Sequence, residues 1–194
     1  MSTLIPTTEL EAVNRILASI GEGRVSTLTG TIPADASKAR DRLTEVSREL
    51  QKVGYTFNTD SELPLTPIAD GTVSLSPSAL KVVFIGETDL VIRGQRVYDR
   101  VKRTYNIART PKADVTVFLP YNELPETARA YVFLKAGRSF QDDETGDSSI
   151  HRIMSEDVNK AWRDFVDWDV EQNKYSLRTN PMIQRINQRR PVTH

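Results

Sequence analysis

Apolar residues recur at three- and four-residue spacing in two early stretches of the chain. Leu10, Val13, Ile16, Leu17 and Ile20 line one face of a helix. Thr8 and Glu11 stand in the Thr-x-x-Glu relation of a capping box, which satisfies amide donors left over at a helix start. Gly21 supplies the left-handed residue that ends such a helix. After a loop over 22–33, Asp35 is read as the N-cap of a second helix. Its stripe is Ala36, Ala39, Leu43, Val46, Leu50 and Val53, and Gly54 is its stop. Residues 8–54 therefore predict a helical hairpin.

From Tyr55 the period shortens. Tyr55 and Phe57 alternate with polar neighbours, and prolines at 64, 67 and 77 forbid a long helix. Apolar, β-branched clusters follow at residues 73–75, 82–85, 90–92, 97–98 and 115–119. Gly94-Gln95 sits between two such runs, and glycine in first position suits a two-residue type II′ hairpin. Residues 55–120 thus read as a small antiparallel sheet, with 63–77 strand-poor because of its prolines.

Asn122-Glu-Leu-Pro125 opens a third helix, proline being suited to a first turn. Ala128, Val132, Ala136 and Phe140 recur every four residues, and Tyr131, Phe133 and Leu134 fill the remaining circumference, so this helix is buried on more than one side. A break over 141–147 carries Asp142, Asp143, Glu144 and Asp147. A fourth helix is expected over about residues 148–174, its seam made by Met154, Val158, Ala161, Phe165 and Trp168 and widened by Trp162 and Val166. The pattern as a whole implies an α+β fold, an antiparallel bundle of about four helices with an inserted small antiparallel β lobe and an extended C-terminal tail. Its segments are 1–54 (helical hairpin), 55–120 (β lobe), 121–175 (second half of the bundle) and 176–194 (basic C-terminal arm).

Charge changes this picture in two places. The chain of 194 residues balances 26 basic against 26 acidic side chains, so no net field advertises nucleic acid or an anionic membrane as a partner. The arm, however, holds Arg178, Arg185, Arg189 and Arg190 and no acid. It is read as a segment that orders on a partner, with Met182, Ile183 and Ile186 as anchors and the arginines as forked donors to carboxylates; the plainer alternative leaves it solvated. On the fourth helix, Asp157, Asp164, Asp167 and Glu171 fall near one face. That face is an ordinary exposed surface, or a subunit contact, or the wall of an acidic channel along which duplex DNA slides without binding.

Candidate chemistry adds little. There is no cysteine, which removes disulfides and thiolate sites. The two histidines, His151 and His194, lack a partner at metal-ligand spacing, and no nucleophile elbow or phosphate-binding glycine loop occurs. A glycosidase needs two acids at a set separation with one raised in pKa by burial. The acids at 142–147 lie among polar residues that offer no apolar pocket. The expectation is no enzyme and no cofactor, with hydrolysis of cell-surface polysaccharide as the alternative. Inactivity towards single strands is expected too, since the arm has no aromatics to stack bases. No apolar run approaches a membrane span and no leader pattern opens the chain, so a soluble protein made in the cytoplasm is expected.

Several segments carry a resemblance. The runs Glu11-Ala-Val-Asn-Arg-Ile-Leu-Ala-Ser-Ile-Gly-Glu22 and Val25-Ser-Thr-Leu28 are similar to the N-terminal signature of the tail tubular protein A family of short-tailed bacteriophages. Gln51-Lys-Val-Gly-Tyr-Thr-Phe-Asn58 resembles a later segment of the same family, with weaker echoes at Val97-Tyr-Asp99 and Leu124-Pro-Glu126. The likeness covers most of 8–140 in pieces and fades beyond. It implies a structural virion protein of the tail, assembled in the host cytoplasm. It also implies a homo-oligomeric ring, a dodecamer under the portal protein, that joins the portal to the tail nozzle (tail tubular protein B), extends the DNA channel and helps present tail fibres.

Overall fold

The computed structural model describes residues 5–6, 8–144 and 148–179, with side chains at 5–6, 8–143 and 155–173. The order of elements is α1 (Glu9–Ser19), α2 (Ala34–Gln51), β1 (Thr59–Pro64), β2 (Ala79–Phe84), β3 (Leu90–Arg93), β4 (Arg96–Asp99) and β5 (Lys112–Val117). A single 3-10 turn (Tyr121–Glu123), α3 (Glu126–Glu144) and α4 (Ser148–Thr179) complete it. The fold is α+β, with four helices and small antiparallel sheets. The chain divides into two compact units, residues 1–43 with 125–194, and residues 44–124.

In the first unit α1 starts and stops as its sequence dictates. The Glu11 amide donates to Thr8 Oγ1 at 3.2 Å. At the other end Gly21 takes φ +83°, and the amides of Gly21 and Glu22 turn back to Ala18 and Leu17. Those two bonds are the Schellman closure, and they occupy carbonyls that have no helical partner. Ala12, Val13, Ile16 and Leu17 are buried, and a Cβ placed on Gly137 of α3 would stand 3.8 Å from Ile16, so α1 lies close on α3. In α3 the four-residue stripe of Ala128, Val132, Ala136 and Phe140 is buried, as expected. In α4 the seam residues Val158, Ala161 and Phe165 are buried, Trp168 is half-buried, and Met154 lies outside the described side chains. Trp162 is more exposed than its place beside the seam predicts, at 38%, and packs tilted against Tyr131 with ring centres 5.0 Å apart.

Helix boundaries depart from the sequence reading at four points. Asp35 lies inside the first turn of α2, paired with Lys38 at 3.2 Å, because the Pro33 carbonyl already accepts the first helical bond. Val53 lies beyond the end of α2 and is 53% exposed, since the chain turns at Gly54 with φ +89°. The break expected from 141 does not begin there, because α3 continues to Glu144. Finally, α4 runs to Thr179, five residues past the expected end.

In the second unit β5 is the centre of a three-stranded sheet, order β1-β5-β2, and β3 pairs with β4 in a separate hairpin. That hairpin turns on Gly94-Gln95 between the paired Arg93 and Arg96. Gly94 has φ +64° while Gln95 keeps a negative φ, the combination of a type II′ turn. Leu65, Val73, Leu90, Val97, Ile107, Ala113 and Val115 form the core. Residues 73–75 supply Val73 to it without forming a regular strand; Ser74 bridges Arg96. Tyr55 and Phe57 lie in a turn rather than a strand. Strand β1 was not legible: its Thr-Asp-Ser-Glu-Leu-Pro sequence is mostly exposed, and pairing with β5, broken by an irregularity at Glu62, is what makes it extended.

Candidate assembly surfaces

The segments that carry the resemblance hold the protein's own backbone. Asn14 clasps Val25 at both ends of its amide, donating to the carbonyl at 2.9 Å and accepting from the N–H at 2.7 Å. Arg40 adds bonds to Glu9 at 2.9 Å and to the Leu28 carbonyl at 3.3 Å. The connection over residues 20–33 is thereby tied to α1 and α2, which fixes a long loop that has no secondary structure of its own.

The second clasp joins the end of α2 to the end of β5. Gln51 is fully buried; its Nε2 donates to Ser47 Oγ and to the Leu119 carbonyl, each at 2.9 Å, and its Oε1 accepts from the Leu119 amide at 2.7 Å. Asn58 donates to the carbonyls of Gln51 and Val117, each at 2.9 Å, and accepts from the Tyr55 amide at 2.9 Å. Each buried amide thus has its partners, which a dry interior requires. Gly54 sits inside this clasp, and a Cβ there would lie 2.8 Å from Thr116 Oγ1.

A charged group anchors the other side of the β unit. Arg109 Nε donates to Glu87 at 2.9 Å, and its Nη2 reaches Glu87 and both oxygens of Asp89, the latter at 3.0 and 2.9 Å. The Arg109 bond holds the Asp89 carboxyl below the usual carboxylate range, and the two carboxylates raise the arginine above its own. Nearby Asp99 is buried and accepts the amides of Val101 and Lys102 at 3.0 and 2.7 Å, fixing a tight turn closed by a bridge to Thr104. The residue before that bridge, Arg103, has φ +56°.

This turn and the hairpin before it display a basic, aromatic face that the sequence reading missed. Residues 93–103 hold Arg93, Arg96, Arg100, Lys102 and Arg103 against one acid, Asp99. All five cations are exposed. Arg93 and Arg96 are cross-strand neighbours, strand alternation puts Tyr98 on their side, and Arg100 follows in the turn just past β4. The Arg93 guanidinium lies 3.7 Å from the Tyr98 ring centre, Arg96 lies 4.3 Å from that of Tyr105, and the two tyrosines meet edge to face at 4.8 Å. The signal was present as a run of like charge, masked by the apolar residues that mark the hairpin.

The residues singled out from sequence are placed as follows. Asp157, Asp164, Asp167 and Glu171 are all exposed on α4, and their spacing keeps them within an arc of about 80°. Lys160 is exposed on the same arc, so the face is acidic with one interruption. Arg178 falls in the last turn of α4, its side chain outside the described ones. Met182, Ile183, Arg185, Ile186, Arg189 and Arg190 lie outside the described residues, as do Asp147 and His194, and no side chain is described for Glu144 or His151. Asp142 and Asp143 stand on the last turn of α3 rather than in a loop; Arg138 lies 3.8 Å from Asp142, and Arg42 binds Asp143. Among the described residues no helix is long and apolar enough to cross a membrane, and no cluster of acids and histidines is grouped to hold a metal.

An α+β chain whose shared segments bind its own backbone, and whose most regular surfaces are charged faces, has the make-up of a structural subunit. The chain belongs to the tail tubular protein family: the family model described as Tube, tail tubular protein, matches residues 10–175. It is accordingly a structural component of a phage tail. No curated protein matches the chain.

Proposed function

We propose that the chain is the head-to-tail adaptor: a homo-oligomeric ring, a dodecamer, that sits on the portal protein, receives the tail nozzle and continues the DNA channel. The family match over residues 10–175 carries this reading. It is supported by the two clasps, which stiffen a subunit that has to bear load between head and tail. In a closed ring one patch meets a different patch on the next copy, and segregated charge suits such heterologous contacts. The arm from Arg178 onward, with Met182, Ile183, Arg185, Ile186, Arg189 and Arg190, is the portal-binding segment. Asp157, Asp164, Asp167 and Glu171 form a subunit contact or channel wall, and tail fibres attach outside the ring. Duplex DNA passes through without sequence-specific binding, because phosphates are held by basic side chains and not by a carboxylate face. The alternative, a polysaccharide hydrolase, draws no support from Asp142 and Asp143, which are paired with arginines on the last turn of α3 rather than set in an apolar cleft.

The test is to mix the purified chain with its own phage's portal ring, determine the mass and image the particles. A complex with many copies per portal supports the adaptor. A folded chain that leaves the portal bare refutes it.

A further inference from the structure

Charge is even over the whole chain and uneven over its parts. Residues 93–103 present five exposed cations against one buried acid. On α4, Asp157, Asp164, Asp167 and Glu171 share one exposed arc, interrupted only by Lys160. Both surfaces are held rigid. Asp99 fixes the loop by accepting two of its amides, and Tyr98 and Tyr105 hold Arg93 and Arg96 by ring contact. The acids ride on one helix whose opposite side is buried through Val158, Ala161 and Phe165.

Among the described residues, Arg93, Arg100, Lys102 and Arg103 make no ion pair; Arg96 feels the field of Asp70. Glu87 and Asp89 of the β unit are spoken for by Arg109, and Asp99 is buried on the amides of its own turn. Val101, at the tip of the loop, is 72% exposed. The turn thus presents one apolar side chain ringed by unpaired cations, with Arg103 held at φ +56°.

We propose that the basic face of residues 93–103 docks on the acidic face of α4 in a second copy of this chain. Arg100 and Lys102 meet Asp164 and Asp167, and Val101 is covered at the centre of the contact. The proposal rests on the ring reading above and specifies the contact between its neighbours. A second copy is favoured over a nucleic acid because both halves of the complement occur in one chain that is neutral in sum. The two faces lie on different units, and in a closed ring each copy gives one face to the neighbour on one side and the other face to the neighbour on the other. Forked guanidinium donors suit carboxylates, and desolvation around the valine strengthens the pairs over exposed ones.

Four chains test it: the wild type, Arg100→Glu with Lys102→Glu, Asp164→Lys with Asp167→Lys, and a chain carrying all four changes. Each is mixed with the phage's portal ring and the copies bound per portal are weighed, after circular dichroism has shown that it folds. Each reversed pair is expected to raise the concentration needed for full occupancy at least about tenfold, and the four together to restore it to within about threefold of wild type. Should a reversal unfold the chain, Arg100→Gln with Lys102→Gln is expected to give a smaller loss in the same direction. Reversed pairs that occupy the portal as wild type does, or a fourfold change that fails to recover, overturn the proposal and leave the ring standing. Unchanged occupancy with salt-dependent loss of duplex-DNA affinity overturns it in favour of a phosphate-binding face. A wild-type chain that never assembles overturns the ring reading itself, and the contact with it.

Discussion

Phe165→Ala tests whether the seam of α4 is the core of the helical unit. Phe165 has no solvent exposure and lies between Trp162, at 5.9 Å between ring centres, and Trp168, at 6.4 Å. A buried phenylalanine removes about 150 Å² or more from water, worth about 4 kcal/mol at 25 cal/mol per Å². Large-to-small changes at such sites cost about 3–5 kcal/mol because the hole only partly closes. Loss of the two ring contacts places this one towards the upper end. Trp162 and Trp168 are the only tryptophans, so urea unfolding followed by their fluorescence reads this seam directly. A loss of about 4 kcal/mol is expected, seen as a drop in Tm of roughly 10–15 °C in a chain of this size. Trp168→Ala, at a half-buried site, is expected to cost about half as much. If Phe165→Ala costs under about 1 kcal/mol, the packing argument for the helical unit is refuted.

Gln51→Leu strips three hydrogen bonds and strands both the N–H and the carbonyl of Leu119; a loss of about 2–4 kcal/mol is expected, with faster hydrogen exchange at the Leu119 amide. Gly54→Ala forces a Cβ into φ +89° and against Thr116 Oγ1, costing about 2 kcal/mol in chemical denaturation, of which Thr116→Ala recovers only the contact part. The folded Asp89 carboxyl titrates below its unfolded value of about 4, so its stabilising share is present above pH 4 and is lost as the pH falls through the lower, folded value. Thermal melts between pH 5 and 2 are expected to show a shallower acid limb in Asp89→Asn. Deleting residues 180–194 is expected to leave the melt unchanged and abolish portal binding; a lost thermal transition would place those residues in the core instead.

The sequence alone determined the helices, their apolar stripes and the β3–β4 turn, because these follow from short-range rules. A capping threonine, a glycine at φ +83° and four-residue spacing act within one turn of chain. It also placed the family, through segments whose side chains turn out to hold backbone. What it left to the tertiary structure needs partners distant in the chain. Strand β1 is polar and becomes a strand only by pairing with β5, with Thr59 opposite Thr116 and Pro64 opposite Lys112. Asn14, Gln51 and Asn58 look like ordinary surface amides until Val25, Leu119 and Val117 are brought to them. Asp143 reads as part of an acidic loop until Arg42, 101 residues earlier, reaches it. The basic face at residues 93–103 was written in the sequence as charge, but only the hairpin's pairing sets Arg93 beside Arg96, with Tyr98 on their side. Long-range pairing is fixed by which surfaces exclude water together, and no local window of residues carries that.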